Sequence, residues 1–423
     1  MIALIRGVAL FAPLAAVWVA AAVRRPAERE VAAMILATAW NLAALAAVNA
    51  VALRAGWWSF HAEGAVVAGV PADLLLGWAL LWGALPAHAA RRLPVPLTAA
   101  ALVWADLALM PIAGPVVRLG ERWLYGEALA AGLALIPGLL LARWTRESRR
   151  LPQRAALQAV LAGGLMLALP VTLTQVWRQP GWVLGLAAQV LAVPLTLGLA
   201  AVREFATAGG GTPLPYDPPG RLVTGGPYAY VRNPMQVSMA AAYALLGVLD
   251  ARFLLGAATV VAYGAGLAAW HEGEQLTARH GEAWTGYRRR VRPWLPRLRP
   301  SPVMPEAVVH VSVTCEQCRP VGEWIARRRP VGLRVLPAED HPGGLRRMTY
   351  ERSDGVRAQG VAALAHAASH LHLGWAIAGW TLLLPGVAWS AQLCVDALGG
   401  GPRPVPSRAG LPPSEGACRL PDE

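Results

Sequence analysis

Apolar residues dominate the first 270 positions in runs of about 20, the length that crosses a ~30 Å hydrocarbon core, separated by short arginine-bearing stretches. The runs place spans near residues 3–22, 31–53, 65–88, 96–116, 126–142, 155–177, 182–201, 234–249 and 252–270. This pattern predicts a mainly α-helical, polytopic membrane protein with about nine transmembrane helices. The last two runs are separated by only a few residues around Leu249–Arg252, which predicts a tight helical hairpin. The first run follows Arg6 and leads into small alanines, as a secretory signal does. Its length and the spans that follow favour an uncleaved helix.

Beyond residue 270 the pattern changes. Trp294–Pro305, WLPRLRPSPVMP, carries four prolines and no long apolar run, and reads as a linker. The strand-like run AVVHVSV, Ala307–Val313, then leads to Cys315-Glu-Gln-Cys318, a helix through Arg327 and a second strand-like segment, GLRVLPAED. The order strand, CxxC, helix, strand predicts a small C-terminal α/β domain. Residues 401–423 are rich in proline and glycine and read as a disordered tail. The expected organisation is therefore 1–180, N-terminal helices; 181–300, a membrane core; 301–400, the CxxC domain; and 401–423, the tail.

The net charge of +13 comes entirely from arginine as the basic residue, for the chain contains no lysine, a composition that a GC-rich coding bias explains. The arginines alternate between loops. Arg24, Arg25 and Arg29 follow the first span, Arg91 and Arg92 the third, Arg143 to Arg154 the fifth, and Arg203, Arg221 and Arg232 the seventh. The intervening loops are poorer in arginine. Positive-inside topology accounts for this alternation and predicts an N-terminus outside and a cytoplasmic C-terminal domain, in the inner membrane of a bacterium. No nucleic-acid-binding module is visible, so the charge implies membrane lipids as partners rather than nucleic acid.

One polar stretch interrupts the apolar pattern in an unusual way. Gly211–Pro234, GTPLPYDPPGRLVTGGPYAYVRNP, lies directly between apolar runs and sets Arg232 and Asn233 at the mouth of the next helix. Polar backbone at a bilayer boundary is tolerated chiefly where it lines a site. After the hairpin comes His271–Arg297, HEGEQLTARHGEAWTGYRRRVRPWLPR. The loop, the hairpin and this segment, in that order, resemble the membrane methyltransferases related to isoprenylcysteine carboxyl methyltransferase and phospholipid N-methyltransferase. The likeness covers residues 200–300. It rests on Gly-Pro-Tyr-x-Tyr-x-Arg-Asn-Pro at 226–234, on the upstream Gly-Thr-Pro and Asp-Pro-Pro elements, and on the acidic, Leu, Gly, Tyr and Trp-Leu-Pro positions of the third piece. The chain departs from the family pattern where Glu272-Gly-Glu274 replaces an adjacent acidic pair, where Arg292-Pro293 reverses the usual order, and at Asn233 and Gln236.

This resemblance implies S-adenosylmethionine as cofactor, bound on the cytoplasmic side, and a lipophilic methyl acceptor entering from the bilayer. It implies a catalytic role for Arg232 and Asn233, and cofactor contacts from Gly226, Pro227, Tyr228, Tyr230, Arg232, Glu272, Glu274 and Tyr287. The chemistry suits these residues. Methyl transfer from a sulfonium is a direct displacement that needs alignment and exclusion of water more than strong acids or bases. Rings at Tyr228, Tyr230 and Trp284 suit a cation or an adenine, a carboxylate at Glu272 or Glu274 suits hydroxyl or amino groups, and Arg232 or Arg288–Arg290 suits a carboxylate. Plainer roles fit the same residues. Arg232 can anchor a helix end, Pro234 can open a helix, the aromatics can belong to an interfacial belt, Tyr287 can pack a helix face, and Arg288–Arg290 can contact lipid phosphates.

The CxxC pair sits where a helix N-terminus lowers a thiol pKa. Residues 307–400 resemble, more distantly, the DCC-type thiol–disulfide oxidoreductase-like domains, through Cys315-x-x-Cys318 and Ser353-Asp-Gly355 followed by Gly360. That likeness implies a thioredoxin-like domain with redox-active Cys315 and Cys318, although Ser312 and Val313 stand where the family carries Asp-Gly. A zinc site is disfavoured because Cys394 and Cys418 form no second close pair, and no metal is expected from His366, His370 and His372. His372–Val395, broken by Gly374, Gly379, Pro385 and Gly386, reads as a buried or interface-bound helical segment, with a tenth span as the alternative. Two other classes compete with the methyltransferase: an NADPH-dependent membrane reductase with similar last helices, and a non-catalytic scaffold or thiol-redox protein.

Overall fold

Most of the apolar runs form helices in the computed structural model, which describes residues 2–61, 64–67, 69–214, 216–217 and 219–405. Most of the expected tail, 406–423, lies outside the described residues. The protein is mainly helical, with a small sheet near its C-terminus. Among the described residues, six helical stretches are long and apolar enough to cross a membrane: Ile2–Val23, Glu28–Ala55, Val95–Ala113, Trp123–Arg146, Leu151–Thr174 and Gly181–Thr207. Two bent pairs, Arg252–Ala268 with Glu272–Arg290 and Leu373–Leu382 with Val387–Gly400, bring the number to eight if each is one span. Large apolar side chains such as Trp18, Trp104, Ile112 and Val160 project outward from these helices, as a lipid environment requires. The chain divides into two compact units, residues 1–168 with 211–218, and residues 169–210 with 219 onward. The expected membrane core and CxxC domain fall largely within the second unit.

In the first unit, α1 (Ile2–Val23) is followed by α2 (Glu28–Ala55), β1 (Trp58–Phe60), β2 (Val66–Val67) and β3 (Val70–Pro71). Then come α3 (Ala72–Trp82), α4 (Ala84–Ala89), α5 (Val95–Leu109), β4 (Val117–Leu119), α6 (Trp123–Ala130), α7 (Ile136–Arg146) and α8 (Leu151–Gly163). The organising element is α2. Its buried Ala33, Ala37, Leu45, Val48 and Ala52 recur at helical spacing, and their small side chains allow the close helix contacts typical of membrane bundles. The buried Asn49 accepts a 2.9 Å bond from the Trp58 indole, which seats β1 against α2. The expected 65–88 span is divided. Strands β2 and β3 occupy its start, and Gly83 separates α3 from α4 with φ −106 and ψ −83, outside helical values.

The second unit begins with α9 (Leu169–Thr174) and α10 (Gly181–Thr207), and continues after the polar loop with α11 (Pro234–Leu246), α12 (Arg252–Tyr263) and α13 (Ala269–Arg290). Pro194 inside α10 breaks the regular ladder, and its carbonyl accepts the Ser238 hydroxyl of α11 at 2.6 Å. Helices α11 and α12 form the expected hairpin, joined by residues 247–251 and tied by Asp250, which accepts from the Arg252 amide at 2.9 Å. The rest of the unit comprises β5 (Ala307–Val311), α14 (Arg319–Arg327), β6 (Leu333–Pro337), β7 (Thr349–Arg352), β8 (Arg357–Gln359), α15 (Val361–Ala368), α16 (Leu373–Leu382) and α17 (Val387–Val395).

The four strands lie in the order β6-β5-β7-β8. Strands β5 and β6 are parallel, with Val309 opposite Val335, whereas β5–β7 and β7–β8 are antiparallel. Val309, Val311 and Tyr350 point to one face, where Ile325 of α14 and Ala363 and Ala367 of α15 cover them. The segment 372–395 breaks at Pro385-Gly386, where Gly386 has φ +83, into α16 and α17. Ala376 and Trp380 of α16 pack with Leu197 of α10, and Arg203 of α10 donates to the Leu383 carbonyl at 2.9 Å.

Candidate functional site

The two motif-bearing pieces of the second unit meet along their main chains. The Arg232 amide donates to the Arg292 carbonyl at 2.8 Å and the Asn233 amide to the Pro293 carbonyl at 3.3 Å. Further along, the Arg297 amide reaches the Tyr230 carbonyl at 2.9 Å and the Ser301 amide reaches Ala229 at 2.8 Å. The proline-rich linker is thus laced to the loop rather than spanning free space. Local chemistry shapes the loop. Gly226 adopts φ +54, a conformation that favours glycine, and Pro227 opens a single 3-10 turn, Gly226–Ala229, whose carbonyl at 227 accepts from Tyr230 and Val231. Pro234 occupies the first turn of α11, where its missing N–H costs nothing.

Arg232, Tyr228, Trp284 and Tyr287 come together here. The Tyr287 hydroxyl donates to the Tyr228 carbonyl at 2.9 Å, and Trp284 packs beside Tyr287 with centroids 5.8 Å apart. The half-buried Arg232 guanidinium lies 5.7 Å from the Trp284 ring centre and donates to the Arg288 carbonyl at 3.4 Å. Burial, together with the neighbouring Arg288, holds the pKa of Arg232 below its ordinary value. Burial raises the Tyr228 hydroxyl well above its ordinary value, and Tyr287, Glu204 and Glu272 add to the shift. Glu272 therefore lies within electrostatic reach of Tyr228, although Glu272 and Glu274 are both exposed.

Other expected residues serve elsewhere. The Tyr230 hydroxyl donates to the Ser369 and Leu371 carbonyls at 3.1 and 3.2 Å, and its ring meets Trp380 edge-on. Asn233 caps α11 through its main chain, with no side-chain cap bond. Gly225 and Gly226 pack on a buried ion pair that the sequence does not announce. In it Arg352 of β7 donates to Glu204 of α10 at 2.5 Å and to Asp354 at 2.8 Å. In the first unit, Thr212 of the Gly-Thr-Pro element meets Asp217. Asp217 accepts from the Thr212 hydroxyl at 3.2 Å and from buried Arg154 at 2.7 Å.

Three buried side-chain atoms of α11 and α13, Gln236 Oε1, His280 Nε2 and Trp284 Nε1, have no partner among the described residues. Burying such groups is unfavourable without a hydrogen bond. Gln236 lies in the first turn of α11, just after Arg232, and Trp284 precedes Tyr287 on α13.

Cys315 and Cys318 are joined as a disulfide with Cα atoms 5.2 Å apart, immediately before α14. Glu339 ties the turn ahead of them by accepting from the Ser312 hydroxyl at 2.7 Å and the Val313 and Thr314 amides at 3.0 and 3.1 Å. His366 and His370 are buried against Tyr350, His366 stacking on its ring. His370 Nδ1 donates to the Val331 carbonyl at 2.7 Å, so Nε2 accepts from the Tyr350 hydroxyl at 2.8 Å. Burial lowers their pKa values to about 3 and about 4. His310, His341 and Glu351 place ligand-type atoms within 4.8 Å of one another on the sheet's other face. There Glu351 is engaged by Arg357 at 3.0 Å, and His341 Nδ1 accepts from the Gly343 amide at 3.1 Å.

No protein-family model, curated protein or solved structure matches the chain.

Proposed function

We propose that the protein is an integral membrane methyltransferase that uses S-adenosylmethionine and acts on a lipophilic acceptor. The observation that carries this reading is the main-chain pairing of 232–233 with 292–293. It brings Arg232, Trp284, Tyr228 and Tyr287 together, and the buried Trp284 indole N–H there has no partner among the described residues. Arg232 and the Trp284 indole would hold a carboxylate of the cofactor, and Gln236 and His280 its remaining polar groups. The bound cofactor supplies an electrophilic methyl group on sulfonium sulfur. The protein's part is to orient both reactants and keep water away, and the apolar α11–α12 hairpin beneath a polar loop is suited to that. The nine-span topology, with the N-terminus outside and the C-terminal domain in the cytoplasm of a bacterium, belongs to the same proposal. Its support is the arginine alternation, together with the convergence of Arg29, Arg91, Arg92 and Arg143 on one cleft.

Calorimetric titration of the purified full chain with S-adenosylmethionine, S-adenosylhomocysteine and NADPH tests the reading. Saturable binding of the adenosyl ligands, weakened roughly tenfold or more by Arg232→Ala, is the expected result. Binding of NADPH alone moves the assignment to a reductase. Binding of none by folded protein removes it.

A second reading concerns the C-terminal domain. The disulfide at the start of α14 and the strand order β6-β5-β7-β8 support a thioredoxin-like domain that exchanges thiols and disulfides.

A further inference from the structure

The first unit carries a charged cleft that methyl transfer does not use. Arg29 at the start of α2, Arg91 and Arg92 ahead of α5, and Arg143 and Arg146 at the end of α7 line one opening of about 770 Å³. These residues come from three separate segments, two helix ends and one loop. The carboxylates lining the same cleft, Glu30 and Glu147, leave it with a net charge of +3.

Those carboxylates are already engaged. Glu30 receives Arg24 at 2.7 Å and lies 3.6 Å from Arg91, while Glu147 pairs with Arg143 at 2.8 Å and Arg149 at 3.1 Å. Arg29 approaches Asp217 only to 3.9 Å, and Arg154 already holds that carboxylate at 2.7 Å. Arg92 is exposed and has no side-chain partner among the described residues. Arg146 is anchored, donating to the Arg91 carbonyl at 2.8 Å, which ties the end of α7 to the stretch ahead of α5.

Several guanidiniums around one opening match tetrahedral oxyanions, which accept paired N–H donors from more than one arginine. The location narrows the source. All three segments lie at the ends of membrane-length helices, which is where a spanning helix meets lipid headgroups, and Leu93, exposed at the cleft, offers an apolar contact beside the charge. Basic pockets between membrane helices hold anionic headgroups. We propose that this cleft binds the phosphate of an anionic phospholipid headgroup. The site is built from the first unit alone and is independent of the methyltransferase reading.

The test is native mass spectrometry of the full detergent-purified chain with phosphatidylglycerol or phosphatidylcholine, comparing wild type with an Arg29→Gln/Arg92→Gln variant. Both arginines are exposed, so thermal unfolding should be unchanged. The wild type should retain phosphatidylglycerol over phosphatidylcholine, and the variant should lose that preference by about thirtyfold, the combined effect of two arginine–phosphate attractions. A control, Arg25→Gln/Arg150→Gln, removes the same charge from exposed positions outside the cleft lining and should retain the preference. An equal loss in the control would show diffuse surface charge and overturn the site. Displacement of the lipid by inorganic phosphate or glycerol phosphate at comparable concentration would assign the cleft to a soluble phosphate and overturn the lipid assignment.

Discussion

Replacing Arg352 with methionine should destabilise the second unit more than replacing Glu204 with glutamine, although the two residues form one ion pair. The side chains are 1% and 6% exposed, and Arg352 also holds Asp354. Arg352→Met therefore leaves the buried Glu204 carboxylate without its cation and Asp354 without its partner, and breaking a buried pair in this way costs about 3–5 kcal/mol. Glu204→Gln keeps an acceptor for the guanidinium and leaves the Asp354 bond intact, so its cost is a weakened hydrogen bond, about 1–2 kcal/mol. The double variant has no uncompensated charge on Glu204. Its loss should fall short of the sum of the single losses by about 2 kcal/mol, the coupling expected of residues in direct contact. In thermal unfolding followed by tryptophan fluorescence, Arg352→Met should lower the midpoint by roughly 10 °C, with Glu204→Gln a few degrees below wild type. A smaller drop for Arg352→Met than for Glu204→Gln, or strictly additive losses, would refute the argument. Gly225 and Gly226 rest on this pair, so the same variants should also loosen the loop that carries Arg232.

Acid should weaken the C-terminal domain in a defined window. His366 and His370 are buried neutral, with pKa values of about 3 and about 4 against an ordinary 6.5. The unfolded chain therefore gains protons first, and stability is fully present above pH 6.5 and lost as pH falls toward 4. At pH 5 the loss from His370 alone is about 2 kcal/mol, and His370→Gln should flatten that part of the pH–stability curve. The Cys315–Cys318 disulfide gives a simpler test. Alkylation of unfolded protein, counted by mass, should rise by two cysteines after reduction; an unchanged count would show the pair to be reduced in the isolated protein.

The features legible in the sequence share a physical property: they are local. Gly226, Pro227 and Pro234 dictate their own backbone, so the polar loop and the start of α11 could be read from composition. The period-2 run before Cys315 marked β5 for the same reason. The later strands escaped because TYER and RAQ carry no apolar alternation, and Ser353-Asp-Gly355, read as a motif, belongs to the turn between them, with Gly355 at φ +97. Hydropathy also joined residues 65–88 into one run, because it sums side chains and is blind to the backbone break at Gly83.

Long-range pairing was hidden for a different reason. Glu204 ends an apolar helix and lies 148 residues from Arg352, so no spacing could join them, yet their ion pair lies against Gly225 and Gly226. Tyr230 shows the converse. Two positions from Tyr228 in one motif, it is sent by the 3-10 turn toward Ser369 and Trp380, whereas the Tyr228 carbonyl receives Tyr287. The motif thus serves two purposes on one short turn. Arg232 faces the candidate site, while the glycines and Tyr230 bind the loop to the segments that carry the CxxC domain. A change in the folding of that domain should therefore reach Arg232 through Arg352 and the Tyr230 hydroxyl, a coupling that follows from packing alone and that the Arg352→Met variant tests directly.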